Sequence, residues 1–140
     1  MTFPFLTLVR NETINGYTFG ELYIGTKKFC DTAEDACEYK ISIGKYDISL
    51  NECSYEMSKD MLYKNVCKGF VPCLKLDTAL LDGYLTYRKK DIGSGSIQVG
   101  RKIEKDNKAV LTDSASIWMD LYEQLKIASK QGQRLDIAIR

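Results

Sequence analysis

At 140 residues, 44% hydrophobic and 28% charged, the chain has the size and composition of a single globular domain, 1–140, with one substantial core. Twenty basic against nineteen acidic residues leave a formal net charge of +1, which gives no global attraction to a polyanion, and no apolar run approaches the roughly 20 residues a membrane-spanning helix needs. Histidine is absent, which excludes Cys-His and Ser-His pairs, His-liganded zinc and any base of naturally near-neutral pKa.

The N-terminal MTFPFLTLVRNETING is apolar at its start but has neither a preceding basic region nor a following small-residue cleavage pattern, so it reads as a first β-strand and not as a signal. YTFGELYIGTKKFC alternates on both sides of Gly25-Thr26 and predicts a hairpin, with a bulge at Gly20. DTAEDACEYK carries Asp31, Glu34, Asp35 and Glu38, a charge density that suits a solvated loop better than a paired strand. KISIGKYDISL resumes alternation around Gly44 as a strand pair or one bent strand.

SYEMSKDMLYKNVCKGF spaces Met57, Met61 and Leu62 as a helix would, yet Pro72 limits any long one, so a short helix or loop is expected. LKLDTALLDGYLTYRKKD then predicts a short strand, a turn at Asp82-Gly83 and a strand through Tyr84 and Thr86. In DIGSGSIQVG the glycines permit a tight turn and SIQV starts a strand.

From Ser114 to Lys130, Ile117, Trp118, Leu121, Tyr122, Leu125 and Ala128 fall on one helical face, with Thr112 or Asp113 placed to cap the start and Gly132 to close the end. Leu135, Ile137 and Ile139 then alternate as a terminal strand. The order predicts an α+β fold: a mostly antiparallel, β-rich single domain with one long C-terminal amphipathic helix followed by a last strand. Five cysteines, odd in number and without a C-x-x-C pair, favour reduced, packed thiols in the cytoplasm or in a particle assembled there.

The blocks YTFGELYIGTKKFCDTAED, ISIGKYDISL and GSGSIQVG, the helix containing WMDLYEQL and the closing DIAI strand together resemble a small bacterial and phage family catalogued as domain of unknown function 5675. Members of that family have an Ile-His-x-Gly-Asn segment and, about ten residues later, a Thr-x-Gly-Cys-Ile segment, a pairing similar to the His and Cys of L,D-transpeptidase-like peptidoglycan enzymes. Here Gly95 keeps the glycine, Ser96 stands at the cysteine position and Thr86 is the nearest counterpart of the histidine. The resemblance thus implies a degenerate site at Thr86, Gly95 and Ser96, without the activity, and the context of a phage-encoded virion component located in the cytoplasm or the virion.

A serine nucleophile needs a positioned base, and the local candidates, Lys89 and Lys90, lie in a run of three cations that solvent favours over the desolvated pocket a neutral lysine requires. Between residues 88 and 108 seven basic residues stand against three acidic, with Arg88, Lys89, Lys90, Arg101 and Lys102 as candidate binding residues. Aromatic interleaving beyond Tyr87 is missing, which ranks a protein partner, such as another virion protein, above nucleic acid. The expectation is a non-catalytic structural or protein-interaction module, with no cofactor or metal. The alternatives are a peptidoglycan peptide transpeptidase or hydrolase and an anion- or nucleic-acid-binding module.

Overall fold

The computed structural model describes residues 3–36, 41–51, 59–76, 80–89 and 96–140. Strands β1 (Leu6–Ile14), β2 (Tyr17–Ile24) and β3 (Lys27–Asp35) form an antiparallel meander. Its first turn, Asn15-Gly16, places both residues at positive φ, 51° and 83°, the backbone a two-residue hairpin needs. Strand β4 (Gly44–Ser49) is followed by helix α1 (Met61–Cys67), then by β5 (Cys73–Leu76) and β6 (Leu80–Thr86). Strand β7 (Ile97–Lys105), β8 (Lys108–Thr112), helix α2 (Ser114–Lys130) and β9 (Asp136–Ile139) complete the chain.

The sheet order is β3-β2-β1-β9-β4-β5-β6-β7-β8, and β3 also pairs with β7. Eight strands therefore close into a barrel, and β8 stands outside the ring as an extension of β7. The expected α+β class holds. The pairing is mostly antiparallel as expected, with parallel pairs at β1–β9 and β6–β7; the finer description is corrected by the closure of the strands into a barrel and by a second helix among the described residues, α1, where a short helix or loop was expected. Closure by β3–β7 joins segments about seventy residues apart, which local patterning does not encode.

Strand alternation and register set the inward face. Leu6 and Leu8 of β1, Leu22 of β2, Cys30 of β3, Val99 of β7, Leu85 of β6, Leu74 of β5, Ile48 of β4 and Ile137 of β9 are all buried in one core cluster. The stripe of α2 joins that cluster through Trp118, Leu121, Leu125 and Ala128. Burial pushes the Cys30 thiol up to about 12, so it is an inert packed group near neutral pH. Cys30, Cys67 and Cys73 are buried thiols outside any disulfide.

One end of the interior is polar. Thr18, Thr32 and Glu34 are buried there, and Arg10 Nε and Nη2 donate to the two Glu34 oxygens at 2.8 and 2.7 Å. Asp31–Asp35 is thus paired strand and not a solvated loop: the local charge is neutralised by a cation 24 residues away. Glu38 lies outside the described residues.

Gly20 contributes space and not a bulge. A Cβ there would sit 2.7 Å from the Val9 carbonyl oxygen, while the extra residue in this ladder is Asn11 of β1, between the Arg10–Gly20 and Glu12–Phe19 pairs. Asp82-Gly83 likewise forms no turn. β6 runs through both, Gly83 pairs with Leu74, and the register shift leaves Asp82 as a bulge. Residues 41–50 supply one strand, β4, between β5 and β9.

Helix α2 has the predicted bounds, and Gly132 at φ 77° closes it with Gln133 N–H donating to the Ala128 carbonyl. Its start differs. Asp113 adopts a left-handed backbone at φ 55° and makes no side-chain cap, because it turns the chain sharply out of β8.

Candidate functional site

The register Leu85–Ile97 and Thr86–Gln98 of the parallel pair β6–β7 brings two sequence-predicted positions onto adjacent strands. Alternation puts Thr86, Gln98 and, one step before β7, Ser96 on one face, with Thr86 and Ser96 offset by roughly 7 Å along the strand direction. Gly95 and Lys90 lie outside the described residues.

Both hydroxyls belong to the wall. Ser96 is 1% exposed and its Oγ accepts from the Tyr84 N–H at 3.2 Å, tying the start of β7 to β6. Thr86 is fully buried. Its Oγ1 accepts from the Arg88 N–H at 3.0 Å and shares a hydrogen bond with the Tyr63 hydroxyl of α1.

That contact opens onto a cluster that sequence reasoning missed. Tyr63 packs edge-on to Tyr87 and Trp118 with ring centroids 5.0 and 4.9 Å away, and its hydroxyl also accepts from the Tyr87 N–H at 3.3 Å. Asp60 caps α1 by accepting from the Leu62 and Tyr63 amides, and it accepts from the Tyr87 hydroxyl at 2.6 Å and from Arg88 Nη1 at 3.3 Å. The only sequence signal was Asp60 one residue before a helical run.

Burial works to raise the Asp60 pKa, but the Tyr87 hydroxyl, the two amides and Arg88 outweigh it and hold the carboxyl below its ordinary value. A depressed carboxylate contributes stability above its unfolded pKa of about 3.9 and loses it as pH falls through the lower folded value. Asp60→Asn should keep a cap and lose the charge. In paired denaturation series the variant is expected to be less stable than wild type at pH 7, with the gap closing as pH falls below the ordinary carboxylate range.

The basic segment is divided among three places. Arg88 is half-buried against Asp60, its guanidinium 5.2 Å from the Tyr63 ring centroid. Lys89 is exposed, its ammonium 5.1 Å from the Tyr17 ring centroid. Arg101 and Lys102 lie on the β7–β8 ribbon, where Arg101 meets Asp113 at 3.5 Å and Lys102 meets Glu12 and, at 3.1 Å, Glu104. The Glu12 carboxylate holds the Lys102 ammonium above its ordinary range. Arg88, Arg101 and Lys102 thus each face a carboxylate.

Of the ribbon, the sequence predicted the start of β7 at SIQV but not its hairpin with β8. Asp106 and Asn107, at φ 53° and 62°, make its two-residue turn. Its inward residues Ala109 and Leu111 pack over Phe19 and Ala33 of the barrel wall. Between ribbon and wall is a cleft of about 110 Å³, floored by Tyr17, Phe19 and Ala33 and bordered by Lys89, Gln98 and Leu111. Gln98 Nε2 donates to the Ser114 hydroxyl at 3.2 Å and to the Tyr87 carbonyl at 3.4 Å.

No family profile, curated protein or solved structure matches the chain. What it does has to be read from its own residues. No described helix is long and apolar enough to cross a membrane. Among the described residues no group of three or more His, Cys, Asp or Glu is arranged to hold a metal ion.

Proposed function

We propose that this domain is a non-catalytic structural or protein-interaction module, encoded by a phage and carried in its virion, on a barrel derived from a peptidoglycan-enzyme-like ancestor. The observation that carries this reading is the use made of Thr86 and Ser96. They fall on one face of neighbouring strands, as a reacting pair would, yet both hydroxyls are buried and committed to wall hydrogen bonds in a chain without histidine.

A nucleophilic Ser96 would need a base within hydrogen-bond reach, and the described partner of its hydroxyl is a main-chain amide, which cannot accept a proton. Lys89, the nearest sequence candidate among the described residues, extends over Tyr17 in solvent. The engagement of Arg88, Arg101 and Lys102 by carboxylates favours a shaped protein partner over nucleic acid.

Purified protein incubated at length with sacculi is expected to leave the muropeptide profile unchanged. Cross-link cleavage or exchange that disappears in a folded Ser96→Ala variant would overturn the reading.

A further inference from the structure

The interaction reading leaves open where a partner binds, and the one strand outside the barrel answers that. We propose that the free edge of β8 takes up an extended partner segment as an added strand, and that this segment alternates apolar and acidic residues.

Among the described residues β8 pairs with β7 alone. Lys105 and Lys108 flank the two-residue turn, so they form a hydrogen-bonded pair, as do Ile103–Val110 and Arg101–Thr112. Ala109 and Leu111 alternate with these and turn their N–H and C=O groups to the open edge. An edge of this kind accepts a further strand through main-chain hydrogen bonds, and the flanking surfaces select its side chains.

Those two surfaces differ. On the inner side the added strand would lie over the cleft floored by Tyr17, Phe19 and Ala33, which suits apolar side chains. The outer side presents Ile103 and Val110, each 45% exposed and directly opposite one another, bracketed by Arg101, Lys105 and Lys108. Among the described residues Lys105 and Lys108 have no carboxylate partner, and neither does Lys89 at the cleft rim. Acidic residues on the outer side of the added strand complement that charge. A second copy of this chain is disfavoured because its own β8, KAVLT, brings no acidic residue to this edge and adds a further lysine.

The test is amide hydrogen exchange, read by NMR on the full chain, with an end-blocked hexapeptide of alternating Glu and Val. A peptide of the same composition in two blocks, three Glu then three Val, is the control. At saturation the alternating peptide should slow exchange at Ala109 and Leu111 roughly tenfold, and Lys108→Glu should weaken its binding roughly fivefold.

Equal protection by the block peptide, protection mapping elsewhere, or indifference to Lys108→Glu would overturn the proposal. So would preferential binding of a duplex oligonucleotide, or concentration-dependent dimerisation that buries the same amides. This proposal rests on the interaction reading, but the two fail separately. Sacculus turnover would remove the module reading without touching the exchange result, and a silent edge beside silent sacculi would remove the β8 site alone.

Discussion

Trp118→Ala is expected to destabilise the domain by about 3 to 5 kcal/mol, the range for deleting a large, fully buried aromatic. Three losses combine. The indole fills space between α2 and the barrel, and its ring stacks on Tyr122 at 5.5 Å while meeting Tyr63 edge-on. Its Nε1 donates to the Leu85 carbonyl at 2.9 Å, so the variant also takes that donor from a buried β6 oxygen. Urea denaturation should show a lower midpoint at an unchanged slope. A change below about 1 kcal/mol would mean that α2 does not close the core as described.

Glu34→Ala should be comparably severe, at about 3 to 5 kcal/mol, because it strands a mostly buried guanidinium. Arg10 meets Glu34 through two parallel hydrogen bonds and donates a third to the Ile41 carbonyl, and Glu34 is 2% exposed. Desolvating the two ions offsets much of their attraction, so the damage comes from breaking the pair and not from lacking it. The double variant Arg10→Met, Glu34→Leu should therefore recover most of the lost stability. If the double variant is as unstable as Glu34→Ala, the ion pair supplies net stabilisation and this account of the barrel's polar end is wrong.

Glu34 also marks the limit of what the sequence made legible. Four acids within eight residues suggest solvent, and only the folding of β1, β2 and β3 into one meander brings Arg10 of β1 to meet Glu34 of β3. Helix α2 was legible to the residue because its stripe repeats at helical spacing, and β9 because it alternates. The β7–β8 ribbon was not: its outer face mixes Ile103 and Val110 with Arg101, Lys105 and Lys108, and its inner face sets Lys102 and Glu104 opposite Leu111 and Ala109, so apolar and polar residues do not separate by face. Asp82-Gly83 carried a turn signature and became a bulge, since a dipeptide specifies local backbone freedom and not which strand lies beside it. At the candidate site, a strand through Thr86 and another starting at Ser96 follow from the local sequence pattern. Their hydrogen bonds do not, because Tyr63 comes from a seven-residue helix whose sequence has little periodicity.

The central claim is that these two hydroxyls hold the barrel wall together and perform no chemistry, and equilibrium denaturation of Thr86→Val and Ser96→Ala tests it most directly. Each substitution removes a buried acceptor, for the Arg88 amide and the Tyr63 hydroxyl in one case and for the Tyr84 amide in the other. Each is predicted to lose about 1 to 3 kcal/mol. Residues kept for catalysis commonly cost stability, so unchanged or increased stability in both variants would contradict the claim and return Thr86 and Ser96 to candidacy as a working site.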